Sequence, residues 1–313
     1  MGIRCLSTVL DGGIDVPLVV THADDPHEAR WFGSVADFAR GRAIAVVTPE
    51  NPNTADLARQ IAVLTPAFLF SFYYRQMLGR ELLCLASRGA LNMHGSLLPK
   101  YRGRAPLNWA ILSGEAETGV TLHYMEERPD AGPIVDSEAV PILPDETAID
   151  VFRKMTEAAV LVLRRSLPGL TEGTAPARPQ DLTAGSYFGR RSPEDGIIDW
   201  SQTARRIHDL VRAVAPPYPG AWTAFDSHLL KITRTRIDAG EARGVPPGHL
   251  CARGGRLFVG AGDHQFVEIT ALEVDGASTD PEAFARRFAG PRGGRPLALH
   301  RPSRLSRLSC TLP

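Results

Sequence analysis

Short, almost wholly apolar runs recur through the first hundred residues: VPLVVT (16–21), AIAVVT (43–48), AFLFSF (67–72) and ALNM (90–93). Apolar residues at nearly every position, rather than at every second one, mark strands covered on both faces. Amphipathic stretches at 28–40, 54–64 and 77–87 separate these runs. The alternation predicts an α/β domain, a parallel sheet with helices on both sides. The pattern continues with a helix in APLNWAILSG that ends at Gly114, strands in GVTLHY and PIVDSEAV, and a helix over 146–166. Asp145, just after Pro144, is the expected N-cap of that last helix.

Residues 167–193 are rich in Pro, Gly, Thr and Ser and read as connecting chain. The first domain is expected over 1–178 and the linker proper over 179–193. A helix over about 201–213 follows, and then strand-like pieces punctuated by turns: GAWTAF, LLKITRTRI, PGHLCA, RLFVGAG and FVEITALEV. Short strands at regular spacing predict a small β-barrel domain over 194–285. From Arg286 onward there are seven Arg and no Asp or Glu, broken by Gly and Pro. Residues 286–313 therefore read as a disordered tail, dispensable for activity.

Composition narrows the class. The chain has 313 residues, with 43% hydrophobic and 22% charged, and its 35 basic side chains balance 35 acidic ones. No overall field argues for nucleic acid or a membrane surface, and no apolar run is long enough to span a bilayer. The four cysteines, Cys5, Cys84, Cys251 and Cys310, are far apart and form no CxxC. They read as reduced thiols of a cytoplasmic protein, with no metal site and no disulfide framework.

Candidate chemistry concentrates in LNMHGSLLPKYRGRAP (91–106). Asn92 and His94 fall where the fourth predicted strand ends, two apart and so on one face. Ligands of doubly wound sheets bind beyond such carboxyl ends. An amide can hold a developing oxyanion, and an imidazole can move a proton near neutral pH. Asp130 in RPDAGPI is the best candidate to orient that imidazole. Taken singly, each residue also has a structural reading: a core histidine, a solvated basic loop, a turn aspartate. The conjunction raises the odds of a site but names no reaction.

The segment NMHGSLLPKYRGRAPLNWAILSGEAETGVTLHYMEERPDAGPIV resembles the signature of the formyltransferases that use 10-formyltetrahydrofolate. The shared features are Asn-x-His, SLLP at 96–99, ETG at 117–119 and the Asp at 130, in order and at matching spacing. FSFYYR (70–75), YFGRRSPEDGIIDW (187–200) and VRAVAPPYPGAW (211–222) most resemble the members that formylate UDP-4-amino-4-deoxy-L-arabinose, a sugar of lipid A modification and cationic peptide resistance. The resemblance spans roughly 1–275 and implies a Rossmann-like catalytic domain followed by a small OB-like barrel.

It also implies roles. Asn92 would hold the oxyanion, His94 would handle the proton and Asp130 would raise its basicity. Gln76, Met77 and Leu78 match the backbone clamp on the pterin. Glu126, Glu127, Arg128 and Pro129 match its far wall, and Arg104 a basic residue at the 10-formyltetrahydrofolate site. The implied partner is a small nucleotide-sugar substrate, with no nucleic acid and no membrane insertion. In many bacteria such a domain is fused to a dehydrogenase, which here would be a separate partner.

Methionyl-tRNA formyltransferase shares the donor and the site, but its loop resembles RGAAP rather than the RGRAP of 102–106, and it needs a basic surface for tRNA. A non-catalytic folate or nucleotide-sugar binder has no use for the triad. One departure stands out. The family opens with a strand of the type VVFAYH, and this sequence matches only after it. The expectation is a central slot left without its strand, and a natural chain that begins further upstream.

Overall fold

Apolar strands and amphipathic helices alternate along the amino-terminal half as the pattern requires. The computed structural model describes residues 1–24, 31–289 and 298–302. In chain order this half holds α1 (Gly2–Asp11), β1 (Leu18–Val20), α2 (Val35–Arg40), β2 (Ala45–Val47), α3 (Ala55–Val63), β3 (Leu69–Phe72), α4 (Arg80–Leu83), β4 (Ala90–His94), β5 (Arg102–Gly103), α5 (Pro106–Leu112), β6 (Glu117–Tyr124), β7 (Ile134–Pro141) and α6 (Ala148–Glu172).

The helix ends are set by side chains. Ser34 caps α2 through the Asp37 N–H at 3.1 Å, and Thr54 caps α3 through the Leu57 N–H at 3.3 Å. The helix expected over 28–40 thus starts at Val35, and residues 28–30 of that expectation lie outside the described residues. The helix expected over 77–87 shortens to one turn. Asn53 takes the Gly79 N–H at 2.6 Å and gives its own N–H to the Met77 carbonyl at 2.9 Å, so the chain before Arg80 is held out of helical geometry.

The expected N-cap Asp145 is not the cap of α6. Thr147 is, with the Asp150 carboxylate accepting its N–H at 3.1 Å and its hydroxyl at 2.6 Å. Nor does α6 stop at 166. It runs through Pro168 to Glu172 because Leu167 and Leu170 are buried, and it ends at Gly173 in the left-handed region. Burying two leucines, at roughly 1.5–3 kcal/mol each, offsets the hydrogen bond that a helical proline removes.

The sheet is only partly parallel. β3 pairs parallel to β4, but β4–β6 and β6–β7 are antiparallel, in the order β3-β4-β6-β7. The expectation of a mostly parallel sheet fails past β4, because a short connection through α5 returns the chain against its own direction. β1 and β2 form a separate parallel pair, and no ladder joins β1 to β3. A continuous cavity of about 1910 Å³ opens between them, walled by Leu18 and Val20 on one side and Phe70 and Phe72 on the other. It extends past Asn92 and His94.

The carboxy-terminal half holds β8 (Tyr187–Phe188), α7 (Ala204–Val214), β9 (Ala221–Phe225), β10 (His228–Glu241), β11 (Leu250–Arg253), β12 (Arg256–Gly260), β13 (Gln265–Val274), β14 (Ala277–Thr279) and α8 (Pro281–Ala289). Its sheet is antiparallel, in the order β11-β12-β13-β10-β9 with β14 on β13. This corrects the expected barrel: among the described residues the strands form an open path. The segment 298–300 touches both edges, bridging His249 beside β11 and Ala224 in β9, by single bridges rather than by a ladder.

Those bridges also correct the expected tail. Residues 286–289 complete α8, where Phe284 and Phe288 pack on Phe225, and Leu299 is buried in the core. Residues 290–297 and 303–313 of that expectation lie outside the described residues. The expected linker is likewise engaged. β8 pairs with β5, and Arg178 exchanges backbone hydrogen bonds with Ile134 at 2.7 and 2.9 Å. The two halves share one core, in which Leu107, Ala110 and Ile111 of α5 cluster with Ile207 and Val211 of α7. No helix among the described residues is long and apolar enough to cross a membrane.

Candidate active site

β4 ends at the mouth of the cavity. Leu91 and Met93 point into the core at 0% and 1% exposure, and the alternate residues Asn92 and His94 face β6 and the loop. Across the ladder Asn92 stands opposite His123 and His94 opposite Thr121. The loop after β4 then folds back, because the Thr121 hydroxyl accepts the Leu98 N–H and donates to the Ser96 carbonyl, at 3.1 and 2.7 Å.

Asp130 reaches this strand end from the turn before β7. Its Oδ1 lies 3.4 Å from His94 Nδ1, 3.6 Å from His123 Nε2 and 3.5 Å from Asn92 Nδ2. Its Oδ2 accepts the Gly103 N–H at 2.8 Å. Asp130 has φ 52 and Gly103 φ 97, both in the left-handed region. Asp tolerates that conformation better than most residues. At Gly103 a Cβ would stand 2.2 Å from the Phe188 carbonyl oxygen, so glycine alone allows β8 to close on β5. Gln180 fastens the turn from behind, donating to the Asp130 and Gly132 carbonyls at 3.1 and 2.6 Å.

The electrostatics follow from this packing. His94 Nε2 contacts the Tyr101 carbonyl at 2.9 Å, and an oxygen there only accepts, so Nε2 carries the hydrogen. The bare Nδ1 then faces Asp130. Burial pushes the His94 pKa down from the ordinary histidine value, against the pull of Asp130, which leaves a neutral imidazole ready to take a proton. Burial alone would raise the Asp130 carboxyl. The imidazoles of His123 and His94 close by, together with the Gly103 N–H, outweigh it and hold the carboxyl at about 2.

The other expected residues divide. Gln76, Met77 and Leu78 line the same cavity, with Gln76 donating to the Glu50 carbonyl at 2.8 Å. Arg104, Glu126 and Pro129 line it too. Glu127 and Arg128 do not. They sit on the exposed outside of the turn, where Glu127 pairs with Arg80 at 3.5 Å. Sequence reasoning missed His123, Gln180 and Arg190, the last of which also lines the cavity. His123 left a usable signal, since period-two alternation in GVTLHY puts it beside Thr121 on the face toward β4. Gln180 left none, because its partners are backbone carbonyls fifty residues away in sequence.

Comparison with known proteins gives the geometry a context. Residues 6–167 match the formyl transferase family model, and residues 190–289 match the formyl transferase C-terminal domain. Similar solved structures include WlaRD, a sugar 3N-formyl transferase crystallised with dTDP and 5-N-formyl-THF, at 21% identity and TM-score 0.69 over 85% of this chain and 92% of that one. An N-formyltransferase from Helicobacter canadensis, in complex with folinic acid and dTDP-3-aminofucose, matches at 21% identity and TM-score 0.68 over 85% and 94%. HypX from Aquifex aeolicus with tetrahydrofolic acid matches at 22% identity and TM-score 0.58, over 82% of this chain and 43% of that one. With the first model spanning more than half of its length, the chain belongs to the formyl transferase family.

Proposed function

We propose that the protein transfers a formyl group from 10-formyltetrahydrofolate to the amine of a nucleotide-linked amino sugar, with UDP-4-amino-4-deoxy-L-arabinose as the acceptor. The convergence of Asn92, His94 and Asp130 at a strand end inside one cavity supports this most directly. The similar solved structures that hold folates and dTDP or dTDP-3-aminofucose support the same pair of substrate classes.

The chemistry is a formyl transfer between two nitrogens. The neutral sugar amine attacks the formyl carbon and forms the new N–C bond. Asn92 offers an amide N–H to the oxygen as it becomes negative. His94 takes the surplus amine proton at Nδ1, and Asp130, 3.4 Å away, stabilises the imidazolium. The bond from carbon to the folate nitrogen then breaks, and that nitrogen leaves with a proton, which His94 can return. Gln76, Met77, Leu78, Glu126 and Pro129 wall the part of the cavity in which the pterin would lie. Arg104, the basic residue expected at the folate site, and Arg190 add positive charge to the lining of the same cavity.

The test is mass spectrometry of the protein with formyl donor and each of three acceptors: UDP-4-amino-4-deoxy-L-arabinose, a dTDP-amino sugar and initiator methionyl-tRNA. A mass gain of one formyl group on the UDP sugar supports the proposal. Formylation of the dTDP sugar alone, or of the tRNA, overturns the choice of acceptor.

A further inference from the structure

We infer that His123 is a positioning residue for the reaction, one that fixes which end of the Asn92 amide faces the formyl oxygen. The inference rests on the role of Asn92 proposed above.

His123 sits on β6 directly opposite Asn92, with 1% of its side chain exposed. Its Nδ1 lies 2.7 Å from the Tyr124 carbonyl oxygen. That oxygen can only accept, so Nδ1 carries the hydrogen, and in that tautomer Nε2 is bare. Nε2 stands 3.3 Å from Asn92 Nδ2, which can only donate. The result is a directed relay, from the Asn92 N–H to His123 Nε2 and from His123 Nδ1–H to the Tyr124 carbonyl. The carbonyl end is rigid, because the Tyr124 N–H is itself held by Pro133 at 2.9 Å.

An asparagine amide has two orientations that differ only by exchange of N and O. The nitrogen would stabilise an oxyanion, whereas the carbonyl oxygen would repel it. Asp130 Oδ1 also favours the nitrogen, but at 3.5 Å it is at the far limit of a hydrogen bond and holds the amide weakly. His123 is the nearer acceptor. It occupies one hydrogen of Nδ2 and leaves the other, loosely held by Asp130, for the reacting oxygen.

Two substitutions separate this role from simple packing. His123→Leu fills the space and removes the acceptor. His123→Gln carries a carbonyl oxygen able to reach the position of Nε2. Steady-state kinetics with donor and amino sugar should give a kcat lowered about 10–100-fold for His123→Leu, short of the 10²–10³ of a wholly lost oxyanion donor. Both KM values should stay within about twofold, since an interaction made only in the transition state is being lost. His123→Gln should regain most of the loss. In the double variant with Asn92→Ala, His123→Leu should add nothing further. Circular dichroism and unchanged binding of a folate analogue establish that each variant is folded.

Wild-type kcat in folded His123→Leu overturns the inference, as does a loss confined to KM, or equal losses in the Leu and Gln variants. If Asn92→Ala is inactive while His123→Leu is fully active, only this inference falls. If Asn92→Ala keeps wild-type turnover, the role of Asn92 falls first and the inference goes with it.

Discussion

At the scale of single residues, the site separates a proton carrier from the charge that supports it. His94 is buried and neutral, and Asp130 is partly buried and ionised. His94→Ala should lower turnover by about 10²–10⁴ and Asn92→Ala by about 10²–10³, with both proteins still folded. Steady-state assays alongside thermal melts check this, and a folded His94→Ala protein with normal turnover would refute the assignment. The pH dependence has a definite sign. A histidine with a lowered folded pKa binds fewer protons folded than unfolded, so His94 makes the protein less stable as pH falls below about 6.5. Asp130 acts at lower pH. Its carboxyl is held at about 2, so its contribution is complete above about 4 and is lost as pH falls through 2. That shift corresponds to about 2 kcal/mol. Chemical denaturation between pH 5 and 2 should therefore show a loss of about that size in the wild type and none of it in Asp130→Asn. Equal acid sensitivity of the two proteins would contradict the ionised, hydrogen-bonded carboxylate.

At the scale of elements, the site is held by a strap that looks like a linker in the sequence. β8 pairs with β5, and Phe188 stacks between Tyr101 and Trp109 with ring centroids 5.3 and 4.9 Å away. The Gly103 N–H in the same short ladder holds Asp130. Gly103→Ala should therefore act twice. The new Cβ meets the Phe188 carbonyl, and the left-handed backbone is strained for alanine, together costing more than about 1 kcal/mol. Displacing β5 should also loosen Asp130 and lower kcat. Melting temperature and turnover, measured on one preparation, should fall together. Loss of stability with unchanged kcat would mean that Asp130 is held without the strap.

At the scale of the whole molecule, the segment 298–302 joins both edges of the carboxy-terminal sheet. Leu299 is 6% exposed and its N–H donates to the Gly248 carbonyl at 2.8 Å. Ending the chain at 297 should destabilise the carboxy-terminal half by at least the roughly 1.5–3 kcal/mol of one buried leucine. Unchanged melting after that truncation would show that the bridges carry no weight.

The sequence by itself determined the elements whose signal is local. Strands β1 to β4 were legible because their apolar residues stand in short runs, although only β4 is largely buried, and α3 because an amphipathic repeat marks it. Asn92, His94 and Asp130 were legible because strand periodicity and a spaced motif need no knowledge of distant contacts. Only the tertiary structure decided the rest. Whether β6 runs parallel or antiparallel to β4 depends on how a connection turns in space, which leaves no local pattern. The persistence of α6 beyond Pro168 depends on what covers Leu167 and Leu170. The Pro- and Gly-rich stretch looked free because its partners, Arg102, Asp130 and Ile134, lie 44 to 84 residues earlier in sequence. His123 belongs to both levels. Its face could be counted from the strand alternation, but its contact with Asn92 exists only once β4 and β6 have paired in register. Short-range physics writes itself into the order of residues, and long-range pairing is settled by which buried groups can find partners when the chain closes.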